Sequence, residues 1–389
     1  MADPVRVVST PAGLSALCND LRGSRWLAVD TEFIRERTYY PQFCLLQIAN
    51  GEHVACVDPL ALDTLDPLLD MIYDASATKV FHAGRQDLEI FFNLRDDVPR
   101  PVFDTQIAAS LLGYGEQVSY ASLIKQALGI QLPKSLARTD WQQRPLHADQ
   151  LSYAADDVRY LSDLYLKLSD ELESRQRSEW LRGDFESLCD RSNFQSDPTT
   201  SWQRIRGVNK LRPQQLAVLR ALAAWREQEA IRIDRPRKRV LSDASLLDLA
   251  RLAPGDPEKL RQIRSLDRGK IKHHGEILLA TIRSGLNEPQ DKWPALPPRQ
   301  GLSSDQQAVV DLLMAQLRER ASHHGISPAS IASRNMVERM AMGELDLPLL
   351  SGWRARLAGN AMLDLLAGKL KMSVKDGQLR VAQNQPETS

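Results

Sequence analysis

The stretch "WLAVDTEF", residues 26–33, runs apolar and then finishes on an acid, a small polar residue and a second acid. Read as a strand, its side chains alternate, so Asp30 and Glu32 point to the same side. Two carboxylates side by side destabilise a strand end unless water, a cation or a proton relieves them. A lone Asp-x-Glu is ordinarily a solvated strand end, so the surrounding chain decides its meaning.

Downstream, "CLLQIAN" (44–50) and "HVACVDP" (53–59) are short β-favouring runs separated by the turn signal "NGE". Three strands so closely connected predict antiparallel pairing. A helical pattern around "LDPLLDMIYDA" (65–75) follows, then a strand "TKVFHAG" (78–84). Beyond it the patterns are helical: "QDLEIFFNL", "DTQIAASLLGY", "YASLIKQALG" and a long stretch from Asp149 to about Arg191. Gly84 makes a strand-to-helix corner that places Asp87 in the first turn of the next helix.

The polar segment "DRSNFQSDPTTSW" (190–202) reads as a linker, and from Arg204 onward only helical patterns are found. "NEPQDKWPALPPRQG" (287–301) holds four prolines and divides the rear into two segments with a weak likeness to one another. The expected organisation is a domain over 1–190, a linker over 191–203 and helical modules over 204–286 and 302–374. Residues 287–301 form a Pro-rich linker and 375–389 a flexible tail.

The 389 residues carry 50 basic and 50 acidic side chains, but unevenly. Residues 1–190 hold 18 Lys and Arg against 29 Asp and Glu; residues 191–389 hold 32 against 21. An acidic front suits a cation, and a basic rear suits a polyanion. The excess concentrates in residues 204–283, with 19 basic against 9 acidic side chains and its densest cluster at "RIDRPRKRV". The second module is nearly balanced. Four scattered cysteines without a C-x-x-C read as reduced core thiols. With neither a signal pattern nor an apolar run of about 20 residues, a cytoplasmic chain without a membrane span is expected. A monomer is the default.

Acids gather in three places: Asp30 with Glu32, Asp87, and "YAADDVRYLSDLY", where Tyr153 and Asp157 are four apart and share a helix face. Asp156 falls about 100° around the helix from Asp157. "VDTEF", "FHAGRQDLEIF" and "YAADDVRYL" resemble the three motifs of the DEDD exonuclease superfamily, and Tyr153 places the chain in its tyrosine branch. "DTEFIRERTYYPQFCLLQIA" and "SLARTDWQQRPLHADQLSYAADDVRYL" are similar to the ribonuclease D family, and the rear modules to HRDC domains.

The resemblance implies an α/β ribonuclease H-like exonuclease domain followed by two all-α HRDC domains. It implies a 3′→5′ exoribonuclease that trims structured RNA such as tRNA precursors, releasing nucleoside 5′-monophosphates with two divalent ions, Mg²⁺ or Mn²⁺. Asp30, Glu32, Asp87 and Asp157 would be the metal ligands, Asp30 bridging both ions, with Tyr153 orienting the attacking water. Hard cations of this kind take oxygen ligands. A 3′→5′ DNA exonuclease, or an RNA-binding scaffold with a vestigial nuclease domain, are the alternatives.

Other residues in the matched stretches read two ways. Gln47 is a substrate contact or a partner of nearby backbone. His82 is a substrate-site residue or a packed one. Arg138, Trp141 and Arg144 suit phosphate and base, or are a structural Trp with two surface arginines. Tyr39 and Tyr40 belong to the core or to a groove wall.

Overall fold

The computed structural model describes residues 5–133, 136, 139–296 and 301–384. Strand β1 (Arg6–Val8) and helix α1 (Pro11–Asp20) lead into β2 (Trp26–Ile34), the strand of the opening motif. β3 (Gln42–Ala49) and β4 (Val54–Val57) complete a meander, followed by α2 (Asp66–Tyr73), β5 (Thr78–Phe81), α3 (Arg85–Arg95) and β6 (Val102–Asp104). The sheet order is β1-β4-β3-β2-β5-β6. β2, β3 and β4 pair antiparallel as the short connections require, while β1, β5 and β6 join in parallel. The three-residue β1 and β6 escape sequence reading because they are too short to show a period.

Alternation in β2 sorts its side chains. Leu27 and Val29 pack with Leu14, Leu17, Leu68 and Phe91 of α1, α2 and α3. The other face, bearing Ala28, Asp30 and Glu32, looks toward α6 (Ala148–Ser174), which crosses β2, β3 and β4. α4 (Thr105–Leu112) and α5 (Tyr120–Leu128) flank α6. A bulge interrupts the β2–β3 register just after Glu32, where such bulges re-aim side chains beside active sites. α7 (Arg182–Leu188) ends the domain.

The first rear module comprises α8 (Pro213–Arg232), α9 (Arg237–Val240), α10 (Asp243–Leu252), α11 (Pro257–Arg261) and α12 (Arg268–Leu286). The second comprises α13 (Ser304–His324), α14 (Pro328–Ile331), α15 (Arg334–Ala341), a turn at Pro348–Leu350 and a final helical run. That run is α16 (Gly352–Arg354), a wide turn over Ala355–Gly359 and α17 (Asn360–Leu366).

The segment expected as a linker is packed. Phe194 stacks on Phe92 with centroids 5.8 Å apart, and Trp202 lies in the core of the first module. Nor is the expected tail wholly irregular. β7 (Leu370–Lys375) and β8 (Gln378–Gln383) form an antiparallel hairpin that the boundary at 374 would have cut. Its "DG" turn at 376–377 is a hairpin signal hidden by polar composition. Residues 385–389 lie outside the described chain.

The two rear modules join the front by different chemistry. The first is held by polar contacts to the segment following β2. Glu227, wholly buried, accepts from Tyr39, Ser196 and Arg237, while Asp234 accepts from the Tyr39 amide at 2.9 Å. The Arg237 guanidinium lies 4.7 Å from the centre of the Tyr39 ring. Part of the densest basic cluster thus serves this seam rather than solvent.

The second module is joined chiefly by apolar packing, with an ion pair from Arg354 to Asp184 beside it. Val310, Leu313 and Trp353 belong to one core with Leu111, Leu112, Leu168 and Leu172. Trp353 stacks on Trp180 at 4.7 Å and donates from Nε1 to the Trp180 carbonyl at 3.0 Å. The backbones meet so closely that a Cβ on Gly113 would lie 2.8 Å from the Gly325 carbonyl oxygen.

Candidate active site

Asp30, Glu32 and Asp157 bring carboxylate oxygens within 4.8 Å of one another, the first two from β2 and the third from the helix above. Asp87, in the first turn of α3, stands just outside this group. It is buried and accepts a hydrogen bond of 2.5 Å from the Thr31 hydroxyl. The corner before α3 is set by Asp104, whose buried carboxylate accepts from the Ala83 and Gly84 amides at 3.1 and 2.8 Å. A Cβ on Gly84 would lie 2.4 Å from that of Phe81, so strand and helix can meet there only through glycine. Tyr153 hydrogen-bonds the Asp157 carboxylate, as residues four apart on one helix face can. Asp156 turns aside to pair with Arg159.

Burial and mutual repulsion hold this group towards its protonated forms. Burial foremost, then Asp157 and Asp87, pushes Glu32 up to about 9. Burial raises Asp157 to about 7 against the opposing Tyr153 bond, and Asp87 to about 6 against that of Thr31. Asp30 moves well upward, through burial and then the charges of Asp87, Asp157 and Glu32. Neighbouring acids that resist ionisation are a donor set awaiting positive charge.

Because these pKa values lie above those of an unfolded chain, the folded protein holds extra protons from about pH 4 to 9, and its stability falls as pH rises through that window. We therefore expect the unfolding temperature in chelator to drop with pH, and excess Mg²⁺ to raise it more at pH 8 than at pH 6. An Mg²⁺ effect of equal size at both values would contradict this electrostatic picture.

The secondary candidates fare differently. His82 is packed: Nδ1 lies 3.0 Å from the Thr105 hydroxyl and Nε2 3.1 Å from the Val118 carbonyl, and burial lowers its pKa. Arg144 is not a phosphate ligand, since its guanidinium grips Asp58 in two bonds of 2.6 and 2.8 Å and also donates to the Cys44 carbonyl. Trp141 is 1% exposed and cannot stack on a base; it lies behind Tyr153, ring centroids 6.3 Å apart. Gln47 is wholly buried and out of substrate's reach. Arg138 lies outside the described residues. Tyr39 belongs to the seam with the first rear module, and Tyr40 stays exposed beside it. Thr31 and Asp104 carry no site signal in the sequence: Asp104 caps α4 in the structure, and its reach back to residue 84 is a tertiary fact.

Comparison with known proteins matches residues 5–173 to a 3′-5′ exonuclease family and residues 215–282 to the HRDC domain family. Ribonuclease D of Sphingobium indicum is 40% identical over 378 residues, covering 96% of this chain and 97% of that protein. That of Bartonella henselae is 35% identical over 383 residues, covering 97% and 94%. The chain belongs to the ribonuclease D family. The crystal structure of Escherichia coli RNase D, an exoribonuclease involved in structured RNA processing, superimposes with a TM-score of 0.80 at 34% identity, covering 94% of this chain and 99% of that one. This ribonuclease D family member is thus a 3′→5′ exoribonuclease with an α/β exonuclease domain and an HRDC domain. No helix among the described residues is long and apolar enough to cross a membrane.

Proposed function

We propose that the protein trims the 3′ ends of structured RNA, tRNA precursors among them, releasing nucleoside 5′-monophosphates with two divalent ions, Mg²⁺ or Mn²⁺. The observation that carries this reading is the half-buried carboxylate group of Asp30, Glu32 and Asp157 with Asp87 buried beside it. An all-oxygen, strongly acidic donor set fits hard cations, and these four residues would hold them. Divalent ions supply relief of phosphoryl charge and activation of water.

The remaining work falls to the chain's own groups. Tyr153, a phenol whose ordinary pKa is about 10, keeps its proton and orients the nucleophilic water. Trp141 fixes the ring of Tyr153 from behind. Thr31 and Asp104 hold Asp87 at its station.

RNA backbone would bind the first rear module. Arg261, Arg268 and Lys272 rim a cleft of about 840 Å³ floored by Leu260, Ile271 and Leu279. Exposed Lys238 and Arg239 add to that field. The second module we read as a diverged HRDC domain. Its order of a long helix, a short one, a medium one, a short turn and a final helical run repeats that of the first. The protein would act as a cytoplasmic monomer.

The deciding experiment follows a 5′-labelled RNA with a single-stranded 3′ tail, and its DNA counterpart, with Mg²⁺, with Mn²⁺ and with chelator. A metal-dependent ladder shortening from the 3′ end of RNA is expected. Faster loss of DNA would move the substrate class. Absence of product with either metal would favour a binding scaffold.

A further inference from the structure

Gln47 is 0% exposed, and neither its amide nitrogen nor its oxygen has a hydrogen-bond partner among the described residues. Buried amides in folded proteins are nearly always paired, and an exception calls for a missing water, ion or functional partner. Two observations say what Gln47 faces. In the β2–β3 ladder it stands directly opposite Asp30, and in the β3–β4 ladder opposite Cys56. Directly opposed residues share a face, with Cβ atoms about 5 Å apart. Over this part of the sheet lie Ala154 and Ala155 of α6, whose methyl groups offer no hydrogen bond. Asp30 is the ionisable group across the ladder, and the charges of Asp87, Asp157 and Glu32 all bear on it. An apolar residue would serve better here if packing were the only need.

We propose that Gln47 is a positioning residue for Asp30: its amide N–H₂ donates through one buried water to the Asp30 carboxylate and fixes the plane in which that carboxylate meets the metal. The inference rests on the metal-centred reading above. It also accounts for a polar residue in the interior of a central strand, beyond the reach of RNA. Hydrogen bonds that orient metal ligands from behind commonly govern affinity by 10- to 100-fold.

The test uses full-length protein and Mn²⁺ alone. Calorimetric Mn²⁺ titration of wild type, Gln47→Leu and Gln47→Met should show affinity about 10-fold weaker in both variants. The unfolding temperature in chelator should stay near the wild-type value, because the bond lost from the amide N–H₂ is offset by removing the partnerless carbonyl oxygen of Gln47. With saturating Mn²⁺, kcat should fall while KM for RNA holds. Should Gln47→Leu fail to fold, Gln47→Met, unbranched and adaptable, carries the comparison. Mn²⁺ affinity equal to wild type would overturn the assignment, and so would a raised KM with unaltered Mn²⁺ binding, which marks a substrate contact. Failure of the wild type itself to bind Mn²⁺ would instead sink the metal-centred reading.

Discussion

Asp30→Asn is expected to lower turnover by about 10³-fold or more, corresponding to roughly 4 kcal/mol of lost transition-state stabilisation, while making the metal-free protein harder to unfold. The two effects share one cause. Asp30 stands half-buried among Glu32, Asp87 and Asp157, and each charge raises the free energy of the others. Asparagine keeps the shape and removes a charge, so the metal-free fold should gain about 1 kcal/mol, or ~2–4 °C in unfolding temperature. Mg²⁺ should raise the unfolding temperature of the wild type and do little for the variant. RNA binding in chelator should stay near wild type, because the basic residues of the first rear module are untouched. Turnover equal to wild type would remove Asp30 from the ligand set. A less stable metal-free variant would mean that the carboxylates do not repel as their burial implies.

Trp353→Ala should lower stability by about 3 kcal/mol, as for other large aromatic residues cut from a core. Its indole lies flat on Trp180 at an interplanar angle of 6°, and the neighbouring Arg354 grips Asp184 with bonds of 2.7 and 2.9 Å. Losing the indole opens a void and leaves the Trp180 carbonyl unpaired. The urea midpoint should fall clearly, whereas Lys238→Ala, on an exposed surface, should leave it unchanged. An unchanged midpoint for Trp353→Ala would mean that this junction contributes nothing to the fold. By the same reasoning a chain cut at residue 203 bares Leu111 and Leu112. Its RNA affinity would then report damage as well as missing positive charge.

Much of this molecule is legible in its sequence, for physical reasons that can be named. Asp30 and Glu32 reveal their common face because strand side chains alternate strictly. Tyr153 and Asp157 reveal theirs because four residues nearly complete a helical turn. The antiparallel meander follows from loops too short for a crossover. What stays hidden depends on distant partners. Lys79, inside "TKVF", looks like the solvated position of a strand. It is instead fully buried, its ammonium donating to the Asp74, Ala77 and Arg100 carbonyls, and burial lowers its pKa to about 8. Arg144 reads as a phosphate ligand until Asp58, far away in sequence, is found beneath it. Arg237 looks like open positive surface until Glu227 and Tyr39 close on it.

The unlike seams give the protein two unequal responses to its ionic surroundings. The first seam is made of polar contacts from Tyr39 to Glu227, Asp234 and Arg237, whereas strongly excluded salts such as sulfate tighten apolar junctions of the kind that Trp180 and Trp353 make. Concentrated sulfate therefore binds the second arm more firmly and does less for the first, so the molecule stiffens on one side.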